Sequence, residues 1–374
     1  MAFRSMKYLL VAAFSLLITS FYNVSIAQDK TGDQTQQTEA AGEKKEGFNP
    51  SKLIMEHVMD AHEFHFATIG EHAIAIPLPV LLYSPQRGVS FFSYSRFEEG
   101  KVAYEGYKSE EGHIVAVDAD GKVDEAVKVY DFSLTRNVMQ MLLSLVLLVV
   151  LMLNVAKKYK KNAGKAPTGF QNAVEPVITF VRDEVGKPNL GHFYEKYMPY
   201  LLTVFFFILI NNLVGLIPGT ANVTGNIAFT LVLSCISLIV ILLSTNGHFW
   251  GHIFWPPGVP FLVKLILIPV ELLGVILIKP AALAIRLFAN MIAGHIVITC
   301  FILLIFIFGS MNTVAGWGFS PVSIAFTVFI YMIEILVAFI QAFIFTNLTA
   351  VFIGQSLEGE HSDANGGHDD AVII

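Results

Sequence analysis

The sequence predicts an all-α polytopic membrane protein: about five membrane helices, two of them long and tilted, one amphipathic helix on the membrane surface, and a small β-rich domain outside the membrane near the N-terminus. Three observations carry that reading. Of 374 residues, 54% are hydrophobic and only 14% charged, too apolar for an ordinary soluble enzyme. The charges are segregated: no Asp, Glu, Lys or Arg lies between Arg136 and Lys157 or between Lys196 and Lys264. Between Phe66 and Tyr130 the apolar pattern has a period of two, as in strands.

Taken in order, residues 1–27 read as a secretory signal peptide: Arg4 and Lys7, an apolar run from Tyr8 to Phe21, and a cleavage site at Ser25, Ile26 and Ala27. A retained first membrane helix is the alternative. Residues 28–50, rich in Gln, Thr, Glu, Lys and Gly, have almost nothing to bury and read as a disordered linker. Residues 51–132 form the extracytoplasmic domain. Ser51 is a plausible cap for a short amphipathic helix carrying Leu53, Ile54, Met55, Val58 and Ala61. Strand patterns follow at Ala73 to Ile76, Val89 to Tyr94 and Ile114 to Val117, with a turn at Asp120 and Gly121. His57, His62, His65 and His72 cluster here, but their spacing matches no strong zinc pattern and no cysteine joins them, so they are weak metal candidates and solvated or interfacial histidines remain open. The two cysteines of the chain, Cys235 and Cys300, sit inside apolar runs and read as packing residues.

The first membrane helix spans 133–156, with Ser133 as a possible cap, and ends in the basic cluster Lys157, Lys158, Lys160 and Lys161, which the positive-inside rule assigns to the cytoplasm. In the loop of 157–196, Val174, Val177, Ile178, Val181 and Val185 share one face of an amphipathic helix that Gly186 and Pro188 should stop. Its place is the membrane surface or the side of a partner subunit. Residues 197–244 form a membrane hairpin turning at Pro218 to Asn222, and 245–261 an interfacial cytoplasmic loop with Trp250 and Trp255. The segment 262–354 holds two long helices. The first, about 48 residues and roughly 70 Å, is too long to stand upright in a core of roughly 30 Å, so it is kinked at Pro269 and Pro280 or steeply tilted. The acidic tail 355–374 is a solvated cytoplasmic end.

The chemistry concentrates between Leu265 and Phe308, an apolar stretch with Arg286 near its middle. An arginine at bilayer depth is costly, and it either pairs with a carboxylate to hold a bundle or faces a hydrated path. Asn290 lies one turn on and Lys279 about two turns back, on the same face as Arg286. At about 100° per residue, His295 points to roughly the opposite side. One helix thus offers a cation to one neighbour and a titratable imidazole to another.

The run KPAALAIRLFANMIAGH from Lys279 to His295 resembles the signature of subunit a of the F-type ATP synthase, the stator subunit facing the rotating c ring. The stretch EILVAFIQAF from Glu334 to Phe343 resembles the last membrane helix of that family, where an ionisable residue and a glutamine stand seven apart. The resemblance implies that Arg286 attracts the ionised carboxylate of a passing c subunit and separates two aqueous half-channels, that His295 and Glu334 handle protons in the outer one, and that Asn290 and Gln341 are polar neighbours of the arginine. Asn212, in the recurrent motif NLVGLIP, lines a hydrated path or hydrogen-bonds between helices. Glu271 falls near the acidic position of the inner half-channel, about one residue out of step with the family pattern.

The function so implied is the proton-channel and stator subunit of the synthase, not an enzyme on its own, in a bacterial inner membrane. Its implied partners are the c ring, b-type peripheral stalk subunits, other synthase subunits and membrane lipid; no cofactor, metal or nucleic acid is expected. The alternative is a secondary transporter whose Arg286 binds an anionic substrate, although the paired inverted repeats it calls for are not visible. An intramembrane metalloenzyme using His295 and Glu334 lacks a motif such as H-E-x-x-H.

The charge distribution places the amino terminus outside and the carboxyl terminus in the cytoplasm. A cysteine engineered at Ser362 should therefore resist an impermeant thiol reagent applied to sealed cells and react once the cells are opened; labelling from outside would reverse the orientation.

Overall fold

A computed structural model describes residues 60–69, 72–97, 102–110, 112–118, 122–124, 127–161, 169–217, 219–245, 247–254 and 260–357. The expected signal peptide, linker, Ser51 helix, Asp120–Gly121 turn and most of the acidic tail lie outside these residues. The described residues are mostly helical, and among them are five helices long and apolar enough to cross a membrane, with a small β-containing region before them.

Seven strands build the N-terminal region: β1 (Glu63–Ile69), β2 (His72–Pro77), β3 (Pro79–Ser84), β4 (Gly88–Ser93), β5 (Tyr107–Glu110), β6 (His113–Ala116) and β7 (Tyr130–Asp131). All pairings are antiparallel: β1 with β2, β5 with β6, and a sheet in the order β4-β3-β7. Val80, Leu82 and Phe92 point from that sheet into a core with Tyr94, Phe97, Tyr107, Ile114 and Ala116, as the period-two pattern requires. Glu105 and Gly106 both adopt positive φ, and Tyr104 and Tyr107 exchange two 2.9 Å backbone hydrogen bonds across them, a tight reversal that glycine makes inexpensive.

Membrane helix α1 (Arg136–Lys161) begins three residues past Ser133. Ser133 is already engaged: its Oγ accepts from the Leu81 amide at 3.1 Å. The orphan amides of α1 are satisfied by a distant residue instead. Arg136 N–H donates to the Ala61 carbonyl at 2.9 Å, and Asp60 Oδ1 accepts from the Asn137 amide at 3.2 Å. Beside this junction His62 Nε2 and Asp131 Oδ2 lie 2.9 Å apart, with the imidazole stacked on Tyr94. Burial alone would raise the Asp131 carboxyl, but hydrogen bonds from His62 and Ser133 outweigh it and hold the group below its usual range.

Two proline sites shape the rest. Helix α2 (Phe170–Phe180) does not stop at Gly186 and Pro188. It widens into a π turn over Val181–Gly186, then resumes as α3 (Lys187–Leu190) with the proline at its start. After a 3₁₀ turn comes α4 (Tyr194–Gly215). The same device recurs later: α7 (Phe261–Leu273), a π turn over Gly274–Ile278, and α8 (Lys279–Met311) with Pro280 at its start. Both π turns end immediately before a Lys-Pro pair. Proline lacks an N–H and its ring clashes with the carbonyl four residues back, so a widened turn relieves both conflicts without ending the helix.

Between them, α5 (Ile227–Ser244) is capped by Asn226 Oδ1, which accepts from the Ala228 amide at 2.9 Å, and the short α6 (Gly247–Phe254) follows. The last helix, α9 (Thr313–Leu357), has 45 residues. At 1.5 Å per residue that is about 68 Å, twice the hydrocarbon thickness, and consistent with the steep tilt expected of both long helices. The helical core gathers Val181, Val185, Leu201, Phe205, Ile208, Leu287, Met291, Phe345 and Ile353. Asn189 fastens the π-turn region to α9 by donating to Asn347 Oδ1 at 2.9 Å, and its carbonyl lies where any side chain on Gly354 would have to go.

Asp60→Ala should weaken the clamp between the β region and α1 by about 1 kcal/mol, opening the junction roughly five times more often. The check is the rate of limited proteolysis between Phe132 and Arg136 in the detergent-solubilised full chain. An unchanged rate would remove Asp60 as the cap.

Candidate functional site

Helices α8 and α9 form an antiparallel pair whose register can be counted from its contacts. Near the turn, a Cβ on Gly316 would come within 2.7 Å of Gly309 Cα, so glycine is needed where the backbones meet. Next, Ser323 Oγ donates to the Phe301 carbonyl, and the rings of Phe301 and Phe326 stack 5.5 Å apart. Further along, the Glu334 carboxylate occupies the space a side chain at Gly294 would fill. At the far end Lys279 Nζ donates to Gln355 Oε1 at 3.1 Å, 4.6 Å over the Phe352 ring. From Gly294 and Glu334 to Lys279 and Gln355, 15 residues back along α8 match 21 forward along α9, so Gln341, seven beyond Glu334, falls opposite the stretch from Leu287 to Ala289, between Arg286 and Asn290.

The buried stripe of α8 runs through Pro280, Leu283, Ala284, Leu287, Met291, Gly294 and Ile298. Arg286 is on the other side, exposed together with Asn290 and the small residues Ala282, Ala289 and Ala293. His295 is half-buried. On α9, Glu334 is 7% exposed and Gln341 6%, both turned toward the bundle, and Glu334 Oε2 has no hydrogen-bond partner among the described residues. The structure therefore brings Glu334 against the residue preceding His295 and sets Gln341 opposite the turn between Arg286 and Asn290, while it holds Arg286 and Asn290 on an outward face.

Asn212 is fully buried in α4 and donates to the Ala338 carbonyl of α9 at 3.2 Å, so its amide bridges two helices; its Oδ1 is unpartnered among the described residues. Glu271 is half-buried on α7, on the far side of the π turn from Lys279. His62 is committed to Asp131 and Tyr94 in the β region; His57 lies outside the described residues, and of the His65 side chain nothing is described. Two polar participants escaped sequence reasoning. Lys264 is buried in α7. Gln355 closes the far end of the helix pair, and a signal for it existed: Glu334, Gln341 and Gln355 fall on one seven-residue spacing.

Residues 138–354 match the family described as ATP synthase A chain. The chain belongs to the bacterial F-type ATP synthase subunit a family. Subunit a of Chloroherpeton thalassium is 45% identical over 246 residues, 64% of this chain and 71% of that protein. Subunit a 2 of Chlorobaculum tepidum is 43% identical, over 64% of this chain and 67% of its own length. Subunit a of Myxococcus xanthus is 37% identical, over 64% and 78%. The β region stands apart from the subunit a match: residues 53–132 match a family described only as a domain of unknown function.

In this subunit a, the notch at Gly294 determines where the Glu334 carboxylate sits. Gly294→Ala should displace that flexible carboxylate rather than part the helices, because the colliding atoms are a side-chain tip. The expected result is a severalfold loss of ATP-driven proton pumping in membrane vesicles with an unchanged amount of assembled complex. Normal pumping would show that the carboxylate's position is unimportant.

Proposed function

We propose that Arg286 is the coupling arginine of this subunit and that it separates two aqueous half-channels, through which protons reach and leave a ring of c subunits. The chain is a multi-pass membrane subunit of the bacterial F-type ATP synthase; the division of labour among its residues is the proposal. The observation that carries it is the outward placement of Arg286 on α8, ringed by Ala282, Ala289 and Ala293, whose small side chains let another helix approach the guanidinium. An arginine serving only as an internal strut would instead turn toward Glu334 in the bundle.

The physical logic follows from protonation. Moving one charge across 100 mV is worth about 2.3 kcal/mol, and that energy does work only if direct leakage is blocked. Guanidinium stays charged at any physiological pH and cannot relay a proton, whereas a lysine ammonium in a dry site can. Arg286 would attract the ionised carboxylate of an arriving c subunit and favour release of its proton. His295 and Glu334 would form the proton-handling pair of the outer half-channel, a reading supported by the Glu334 carboxylate lying against Gly294, the residue before His295. Gln341 and Asn290 would serve as polar neighbours of the arginine, Asn212 would tie α4 to the path, and Glu271 would supply the acidic group of the inner half-channel. The amino terminus would lie outside and the carboxyl terminus in the cytoplasm, with b-type subunits bracing the stator.

Arg286→Ala should abolish ATP-driven acidification of membrane vesicles while leaving the complex assembled and raising passive proton permeability. Arg286→Lys should fail as well, since ammonium lacks the planar fork and can surrender its proton. Loss of assembly in both variants would assign the arginine a structural role, and normal pumping by Arg286→Ala would overturn the proposal.

A further inference from the structure

The sheet β4-β3-β7 is apolar on both faces. Its inner face fills the core of the β region, but its outer face carries two cross-strand rows, Phe91–Leu81–Phe132 and Val89–Tyr83–Tyr130. Phe91 is 72% exposed, Val89 68% and Phe132 64%, with Tyr83 and Tyr130 stacked beside them. A sheet with one face in water normally alternates apolar and polar residues, so this face calls for a covering.

Its position in the chain says what covers it. The apolar stretch of α1 from Val138 to Ala156 is about 29 Å long as a helix, matching the hydrocarbon core, so Arg136 marks the headgroup layer. Phe132 precedes Arg136 by four residues, a reach of at most about 14 Å. The sheet cannot swing away from that level. Phe132 N–H donates to the Leu81 carbonyl at 2.9 Å, Leu81 N–H to Ser133 Oγ at 3.1 Å, and Asp60 and Ala61 hold the first amides of α1. The outer face is thus tethered within that reach of α1, whose first turns leave Met139, Leu142 and Leu143 exposed. Its make-up of Phe and Tyr is that of residues at a membrane–water boundary, and exposed Lys128 offers a cation for a lipid phosphate.

We propose that the outer face of sheet β4-β3-β7 docks on the headgroup layer of the bilayer, making the β region a peripheral membrane anchor continuous with α1. The occupant is phospholipid, bound through interfacial aromatics without insertion of a further span.

The test uses the full chain with Cys235→Ala and Cys300→Ala, and Val89→Cys carrying an environment-sensitive fluorophore, in phosphatidylcholine nanodiscs and again in the assembled complex. Lipid bearing a headgroup nitroxide should remove most of the emission in both settings, and aqueous iodide should remove little. Phe91→Cys supplies an independent position if Val89→Cys misfolds. Quenching by iodide with none by nitroxide lipid would overturn the proposal in favour of a solvent-exposed face. Lipid quenching that vanishes in the assembled complex would overturn it in favour of a neighbouring subunit, as would cross-linking between two copies through this face.

Discussion

The close approach of α8 and α9 at Gly294 governs the disposition of polar groups at bilayer depth. A carboxylate between two apolar helices is tolerated only where space and polar neighbours are provided. The missing Cβ provides the space, and the sequence around it then determines what lies nearby: His295 next along α8 on the adjoining flank, and Gln341 two turns on along α9. The rotation of α8, which turns Leu283, Leu287, Met291 and Gly294 inward, keeps Arg286 on the outside of the pair and away from that carboxylate.

That register is in turn protected by the way both prolines are absorbed. A sharp kink at Pro280 would re-aim the whole of α8, whereas the π turn over Gly274–Ile278 takes up the missing hydrogen bond locally and hands on a continuous helix. Pro188 is handled alike: α2 continues through the π turn into α3, where Asn189 meets Asn347 and the bare backbone of Gly354, before the 3₁₀ turn leads into α4.

The membrane architecture was legible because lipid imposes a coarse rule: long uncharged stretches become helices. Arg286 drew attention for the complementary reason, as a fixed charge in such a stretch, whereas Glu334 and Gln341 were picked out by the resemblance of their segment to the last membrane helix of the family. What stayed hidden were relations between distant positions. Nothing local announces that Glu334 packs on Gly294, or that Ser133 would be taken by Leu81 and leave capping to Asp60. Strand β3 was obscured by Pro77 and Pro79, which sit in the ladders at strand ends: Pro77 closes β2 opposite Glu63 and Pro79 opens β3 opposite Ser93, terminal positions that a strand can give to proline. The stop expected at Gly186 and Pro188 overestimated what those residues do when a wider turn is available.

The cap on α1 has a bearing on biogenesis. Asp60 precedes Asn137 by 77 residues, so the carboxylate reaches the helix end only after the intervening chain has folded and brought its two ends together. Until then the first amides of the span lack their protein acceptors. A misfolded β region would leave the span frayed at the membrane surface, where quality-control proteases can engage it. Helix α1 thereby carries a built-in record of whether the β region ahead of it was completed.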